Sequence, residues 1–130
     1  MAVQNKQLCL PFKAAGDLST KQFYFVKLSA AHTVTVCTGA TDKPIGVLQN
    51  KPNAAGQEAE VCVWGWTKVS SNGSVAAGDL IGTSADGQGD TKVPGTDTTE
   101  YICGVAVTAG TTADDIFEAI IDCAGIGRAA

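Results

Sequence analysis

The sequence AEVCVWGW, residues 59–66, ends the stretch Gly46–Trp66, which reads GVLQNKPNAAGQEAEVCVWGW. Its β-branched and aromatic residues predict a strand. This strand has no hydrophilic face, because the four residues VCVW, 61–64, are all apolar. A strand of a small antiparallel sheet usually has one face in water. The second face must therefore be covered by a second sheet or closed barrel, by a neighbouring protomer, or by a larger assembly.

Strand signals of the same kind recur along the chain and predict an all-β protein. We expect a small single-domain antiparallel β-barrel or sandwich with long loops, because Gly, Pro, Asn, Asp or Thr clusters bound most runs. The polar segment 83–99 is predicted to be a loop, and a short helical turn is expected near 28–32. Strands are predicted at Phe23–Leu28, Thr33–Cys37, Ile45–Gln49, Ala59–Trp66, Tyr101–Val107 and Ile116–Asp122, with short ones at 8–12, 67–69 and 79–82.

A weak internal repeat suggests two related halves, roughly 14–70 and 76–124. The pentapeptide AAGDL occurs at 14–18 and again at 76–80. A Gly-Val strand follows each copy, and then a glycine-containing loop and an acidic step into another strand. The order of these features favours a two-fold pseudo-repeat. The alternative is that AAGDL is a common start of a turn and strand, since Gly permits tight turns and Asp bonds its own backbone.

Composition excludes several classes of function. A chain of 130 residues suits one domain. Its net charge is −4 and its nine Lys and Arg never cluster, so nucleic acid is not an expected partner. No apolar run approaches the roughly 20 residues that span a bilayer, so no membrane partner is expected. The first residues, MAVQNKQLCLPF, do not resemble a secretory signal, which favours synthesis and assembly in a cytoplasm.

The residues that carry chemistry are few. Five cysteines lie in or beside apolar runs without a CxxC pair, and His32 is the single histidine. Cysteines in apolar runs are typical of buried thiols, so all five are predicted to be reduced. No nucleophile elbow, phosphate-binding loop or dinucleotide motif is present. We therefore expect no enzyme activity, no catalytic residues, no cofactor and no metal; an enzyme using thiols is disfavoured, since buried thiols are inert.

Four segments carry a resemblance to a known family when they are taken in order: AAGDLSTKQFYFVKL, PIGVLQNKPNAAGQEAEVCVWGWTKV, AAGDLIGTSADG and ICGVAV. Together they resemble the small capsid decoration, or cement, proteins of tailed bacteriophages. The resemblance covers roughly residues 14–124 and depends on the order and spacing of turns and strands. The WGW triplet and the five cysteines depart from the family pattern. The matching pieces are Gly46–Gln49, Pro52–Gly56, Val61–Gly65, Lys68–Val69 and Ala77–Asp79.

The resemblance implies a structural protein of the virion without an active site. Such a protein is expected to be a homotrimer on the outer surface of the phage head, assembled in the host cytoplasm. It would occupy three-fold and quasi-three-fold positions, bridge major capsid protein subunits and stabilise the capsid. The alternative is a carbohydrate- or receptor-binding β module displayed on the virion, whose tryptophans stack on sugars.

Two groups of apolar residues are candidates for an interface. Strand alternation places Trp64 and Trp66 on the same face of one strand. Tryptophan is enriched at interface hot spots. Residues 1–13 are predicted to be an N-terminal arm that gains order on assembly, ahead of a β-rich domain at 14–130. The predicted strand faces are Cys62, Trp64 and Trp66 on one side and Val61, Val63 and Thr67 on the other. The interface candidates are Trp64, Trp66, Leu8, Leu10 and Phe12.

Overall fold

The computed structural model describes residues 6–130, which form a single all-β domain without a helix. The prediction of an all-β fold is therefore confirmed. The β-branched and aromatic runs form the strands, and Gly, Asp and Asn positions separate them. The strands are β1 (Gln7–Ala14), β2 (Phe25–Ala30), β3 (Thr33–Val36), β4 (Gly46–Leu48), β5 (Glu58–Ser70), β6 (Leu80–Thr83), β7 (Gly89–Thr91), β8 (Tyr101–Ile102), β9 (Gly104–Ala106), β10 (Ile116–Asp122) and β11 (Gly127–Arg128).

Nine strands form one sheet in the order β1-β3-β2-β4-β5-β10-β9-β6-β7, and β8 pairs with β11 separately. All pairings are antiparallel except that of β1 with β3. Strand β1 also pairs with β5, so the pairings among the first five strands return to their starting point. The sheet as a whole is not a closed barrel, because β7 lies at its edge.

The order of the sheet is two-fold symmetric, as the internal repeat predicts. Around the junction of β5 with β10, the series β5, β4, β2, β3 on one side matches β10, β9, β6, β7 on the other. Each half is a hairpin followed by two strands that continue the sheet from the hairpin's first strand. Strand β1 has no counterpart in the second half.

The AAGDL pentapeptides are not the structural basis of this symmetry. In the first copy, the Asp17 carboxylate accepts a hydrogen bond from the Ser19 N–H, two residues onward. In the second copy, the Asp79 carboxylate accepts from the Ala76 N–H, three residues back, and from the Thr91 hydroxyl. The two copies therefore make different turns, and the equivalence of the halves lies in strand pairing.

Strand β5 is apolar on both faces because each face packs in a core of the same chain. The first core lies among β1 to β5 and includes Val61 and Val63; the second core joins the two halves and includes Cys62 and Val69. Along residues 61–63, both faces of β5 are thus covered by other parts of the same chain, and no partner protein is needed to cover them. The first core contains Ala14, Leu18, Val26, Val34, Leu48, Ala59, Val61 and Val63.

The predicted faces of β5 are wrong at the tryptophans. Leu8 pairs with Trp64 and Cys9 pairs with Cys62, so Val63 has no partner in β1. An extra residue of this kind reverses the alternation of side chains. Cys62 therefore packs in the second core, whereas Trp64 and Trp66 lie on the opposite side of the sheet.

The structure differs from three other predictions in detail. The segment 28–32 is no helical turn: β2 continues to Ala30, and Ala31 and His32 form the turn to β3, with His32 at a φ of 56°. The segment 83–99 is not only a loop, because it contains β7. The run Tyr101–Val107 is two strands, since Cys103 separates β8 from β9.

The predicted arm overlaps a strand of the sheet. Residues 1–5 lie outside the described residues, whereas β1 runs from Gln7 across residue 13 to Ala14 and pairs with β5 over most of its length. Residue 13 is therefore not a boundary of the sheet. The gain of order on assembly stays a prediction.

Candidate interaction surface

Apolar side chains from five strands form an exposed face that extends from the junction of the two halves across the second half of the sheet. Residues directly opposite each other in paired strands lie on the same face. Trp66 is opposite Ile120, Ile120 is opposite Val105, and Val105 is opposite Leu80. Beside this row, Trp64 is opposite Leu8. We call this set the outer apolar face: Leu8, Trp64, Trp66, Leu80, Val105 and Ile120.

The outer apolar face is open to solvent. The side chains of Leu8 and Trp64 are each 52% exposed and Ile120 is 50% exposed, whereas Trp66 and Leu80 are half-buried. A contiguous apolar patch of this kind is typical of an interaction surface, whereas single exposed apolar residues are ordinary.

The absence of a counterpart to β1 explains why this face is open. In the first half, β1 and the segment after it supply Ala14 and Leu18, which cover the side of the sheet that carries Val61. The same side of the sheet carries Trp66 at the junction with β10 and Ile120 in the second half, where no described strand corresponds to β1.

Hydrogen bonds and charges fix the centre and border of the outer apolar face. The Trp66 indole N–H donates to the Glu118 carboxylate at 3.1 Å, which holds its ring across β10. Lys68 is opposite Glu118 and Asp122 is opposite Trp64, so charged residues border the apolar row. An apolar centre with a polar rim is the usual anatomy of a protein interface.

A second apolar feature is a groove of about 570 Å³ at the border of the first core. Leu10 and Leu28 stand at its rim, 40% and 51% exposed, and the buried Val63 lies among its lining residues. We call this feature the lysine groove, because Lys43 supplies the charged side chain that lines it. Its walls include Leu10, Leu28, Lys43, Pro44, Ile45 and Val63.

The five interface candidates are divided by the structure. Leu8, Trp64 and Trp66 lie on the outer apolar face, and Leu10 lines the lysine groove. Phe12 is half-buried and packs against the first core. Sequence reasoning missed Ile120, Val105 and Leu28. The alternation within IFEAIID contains a signal, since Ile116, Glu118, Ile120 and Asp122 share a face that mixes apolar and acidic residues.

All five cysteines were predicted to be buried, and four of them are. Cys37, Cys62, Cys103 and Cys123 are buried and Cys9 is half-buried. No disulfide joins any of them in the described chain, and their reduced state stays a prediction. Burial raises the pKa of the Cys37 and Cys62 thiols to about 12, so both are protonated at neutral pH. A protonated, buried thiol is a poor nucleophile.

The histidine and the acidic residues of the described chain do not form a metal-binding cluster. His32 is exposed in the β2–β3 turn. Within residues 6–130, no group of three or more His, Cys, Asp or Glu side chains is arranged to hold a metal ion. The same residues include no helix long and apolar enough to cross a membrane. The outer apolar face and the lysine groove are candidate binding surfaces of the described chain.

Comparison with known proteins gives a structural match without a sequence family. No protein-family model matches the chain, and no curated protein matches it. The fold is similar to a solved structure described as the "head fiber gp8.5 N base in bacteriophage phi29". The TM-score is 0.62 at 15% sequence identity, and the match covers 91% of this chain and 96% of that one. This similarity shows a common fold.

Proposed function

We propose that this protein is a structural component of a tailed-phage head that binds the head through its outer apolar face. The main observation in support of this proposal is the contiguous, half-exposed array of Trp64, Leu8, Ile120 and Val105. The fold similarity to a head fiber base supports the assignment. The resemblance of segments within 14–124 to phage decoration proteins, in the order and spacing of turns and strands, also supports it.

Within this proposal, the protein is a homotrimer on the exterior of the head at three-fold and quasi-three-fold positions. There it bridges major capsid protein subunits and stabilises the capsid. Three identical chains related by rotation repeat one contact with the lattice. Linked contacts raise effective concentration, so weak individual contacts together bind firmly, by factors on the order of 10²–10⁴. Binding to the assembled lattice alone also stabilises that lattice by mass action.

The test is binding of the purified protein to phage heads that lack it, measured by co-sedimentation. Trp64→Ala and Ile120→Ala should each weaken binding, because loss of an apolar side chain that acts as a hot spot costs about 1 kcal/mol or more, roughly fivefold in affinity. Val93→Ala is the matched control, since Val93 is 49% exposed and lies outside the outer apolar face. Thermal unfolding of each variant separates lost binding from lost folding.

Equal binding by wild type, W64A and I120A would reject the outer apolar face as the head-binding surface. Failure of the wild type to bind heads would reject the function itself. The alternative, a carbohydrate-binding module, is favoured by the exposure of Trp64, since an aromatic ring can stack on a sugar. Binding to a glycan array that W64A abolishes, without binding to heads, would select that alternative.

A further inference from the structure

The lysine groove has the volume and the mainly apolar lining of a ligand-binding site. Its volume of about 570 Å³ lies within the usual range for ligand pockets, roughly 300–1,000 Å³. Leu10 and Leu28 leave about half of their side chains in water at its rim. An aliphatic side chain placed between them would remove apolar area from water on both sides of the contact.

Lys43 gives this apolar groove an electrostatic preference. The ion pairs in the part of the chain that the structure describes involve Lys27 and Lys92, and Lys43 forms none there. Lys43 is exposed, whereas the adjacent Pro44 is buried. A lysine beside an apolar wall complements a carboxylate that is next to an apolar group.

The loop that carries Lys43 is fixed before any partner binds. One carboxylate oxygen of Asp42 accepts hydrogen bonds from the Thr38 and Gly39 N–H groups and pairs with the Lys27 ammonium at 2.9 Å. On the other side of Lys43, Pro44 restricts the backbone, and the Ile45 N–H donates to the Val26 carbonyl at 2.8 Å. A preformed wall lowers the entropy lost on binding.

We propose that the lysine groove binds a segment of a partner protein that presents an aliphatic side chain next to a carboxylate. The aliphatic group lies between Leu10 and Leu28, and the carboxylate pairs with Lys43. This inference depends on the groove alone and not on the outer apolar face. It adds the chemistry of a second contact to the proposed function, and either proposal can fail without the other.

Methyl NMR titration of the full chain with three acetylated, amidated pentapeptides tests the proposal. The peptides are Ser-Leu-Asp-Glu-Ser, its amide counterpart Ser-Leu-Asn-Gln-Ser, and Ser-Ser-Asp-Glu-Ser without the aliphatic group. The first peptide should shift the methyl signals of Leu10, Leu28 and Ile45 and bind the most tightly. The amide peptide should bind roughly threefold more weakly, as expected for loss of one solvent-exposed ion pair.

The variant Lys43→Glu should remove the preference for the acidic peptide over the amide peptide. Lys51→Glu is the matched control, because Lys51 is exposed and is not among the residues that line the groove. This substitution makes the same change in net charge, and the variant should still prefer the acidic peptide over the amide peptide. Equal affinity of the wild type for the acidic and amide peptides would overturn the proposal. It would also be overturned if millimolar peptide left the groove signals unchanged or shifted only those of Ile120.

Discussion

At the scale of single residues, two glycines determine how closely neighbouring strands approach. A Cβ atom on Gly46 would clash with the Cys62 carbonyl, and one on Gly104 would clash with the Ile120 carbonyl. Gly46→Ala and Gly104→Ala should each lower the free energy of unfolding by about 1–3 kcal/mol, because the strands must move apart. Urea denaturation measures this change.

Gly73→Ala is the control for these glycine variants. Gly73 has open space around its Cβ position and an ordinary φ. Its substitution should change stability by less than about 1 kcal/mol, through the unfolded chain alone. If all three variants lose the same stability, close strand approach is not what Gly46 and Gly104 provide.

Lys92 is a buried charge in the second half. Its side chain is 1% exposed, and its ammonium lies 2.5 Å from a Glu100 carboxylate oxygen and 3.7 Å from an Asp90 oxygen. Lys92→Met keeps most of the side-chain volume and leaves the Glu100 carboxylate, which is 19% exposed, without this partner. It should cost about 1–3 kcal/mol of unfolding free energy. Chemical denaturation is the measurement.

The double variant Lys92→Met/Glu100→Gln separates the uncompensated Glu100 charge from the loss of the ion pair. It has the same side chain at residue 92 as K92M and removes the charge of Glu100 as well, so it should be more stable than K92M. A double variant as unstable as K92M would mean that the ion pair itself, rather than an uncompensated charge, accounts for the loss.

At the scale of elements, the loop between β3 and β4 depends on an ionised Asp42. The hydrogen bond from Lys27 holds the pKa of the Asp42 carboxyl below its usual value. A carboxyl whose pKa is lowered by folding adds stability above its unfolded pKa and loses it as pH falls through the folded pKa. Asp42→Asn should therefore reduce the loss of stability between about pH 5 and pH 2.

The size of this effect should be no more than about 1 kcal/mol, because Lys27 and Asp42 are both partly exposed. Thermal melts of wild type and D42N across that pH range provide the test. If the melting temperatures of wild type and D42N fall by the same amount as the pH is lowered, ionisation of Asp42 does not contribute to the pH dependence of stability. Asp17 is a useful comparison, because its pKa is also lowered but by a local turn.

At the scale of the whole molecule, we expect three copies to act together. A particle reconstruction by cryo-electron microscopy should show three copies around each local three-fold axis of the head, with the outer apolar face at a protein contact. Such an arrangement covers area that the single chain leaves in water. Density at five-fold vertices or on the tail would contradict the placement, and single isolated copies would contradict the trimer.

Much of the architecture follows from the sequence alone. Runs such as TVTV and IFEAIID alternate or concentrate β-branched residues, and local preference is enough to form strands there. The Gly-Val steps at 46 and 104 mark corresponding strands of the two halves, which strand pairing confirms. The all-β class and the interior position of four cysteines were predictable for the same reason, since both depend on local apolar character.

The tertiary structure decided which apolar residues are buried. The run VCVW is uniformly apolar, yet Val61 and Cys62 are fully buried and Trp64 is 52% exposed. Two long-range facts cause this difference: β1 pairs with β5 out of step at Val63, and the second half has no strand equivalent to β1. A two-residue period in the sequence predicts which side chains share a face of a strand, but it does not predict which strand lies beside it. One unpaired residue moves all later side chains of the strand to the opposite face. The sequence therefore determines the strands and the repeat, whereas strand pairing between distant segments creates the outer apolar face.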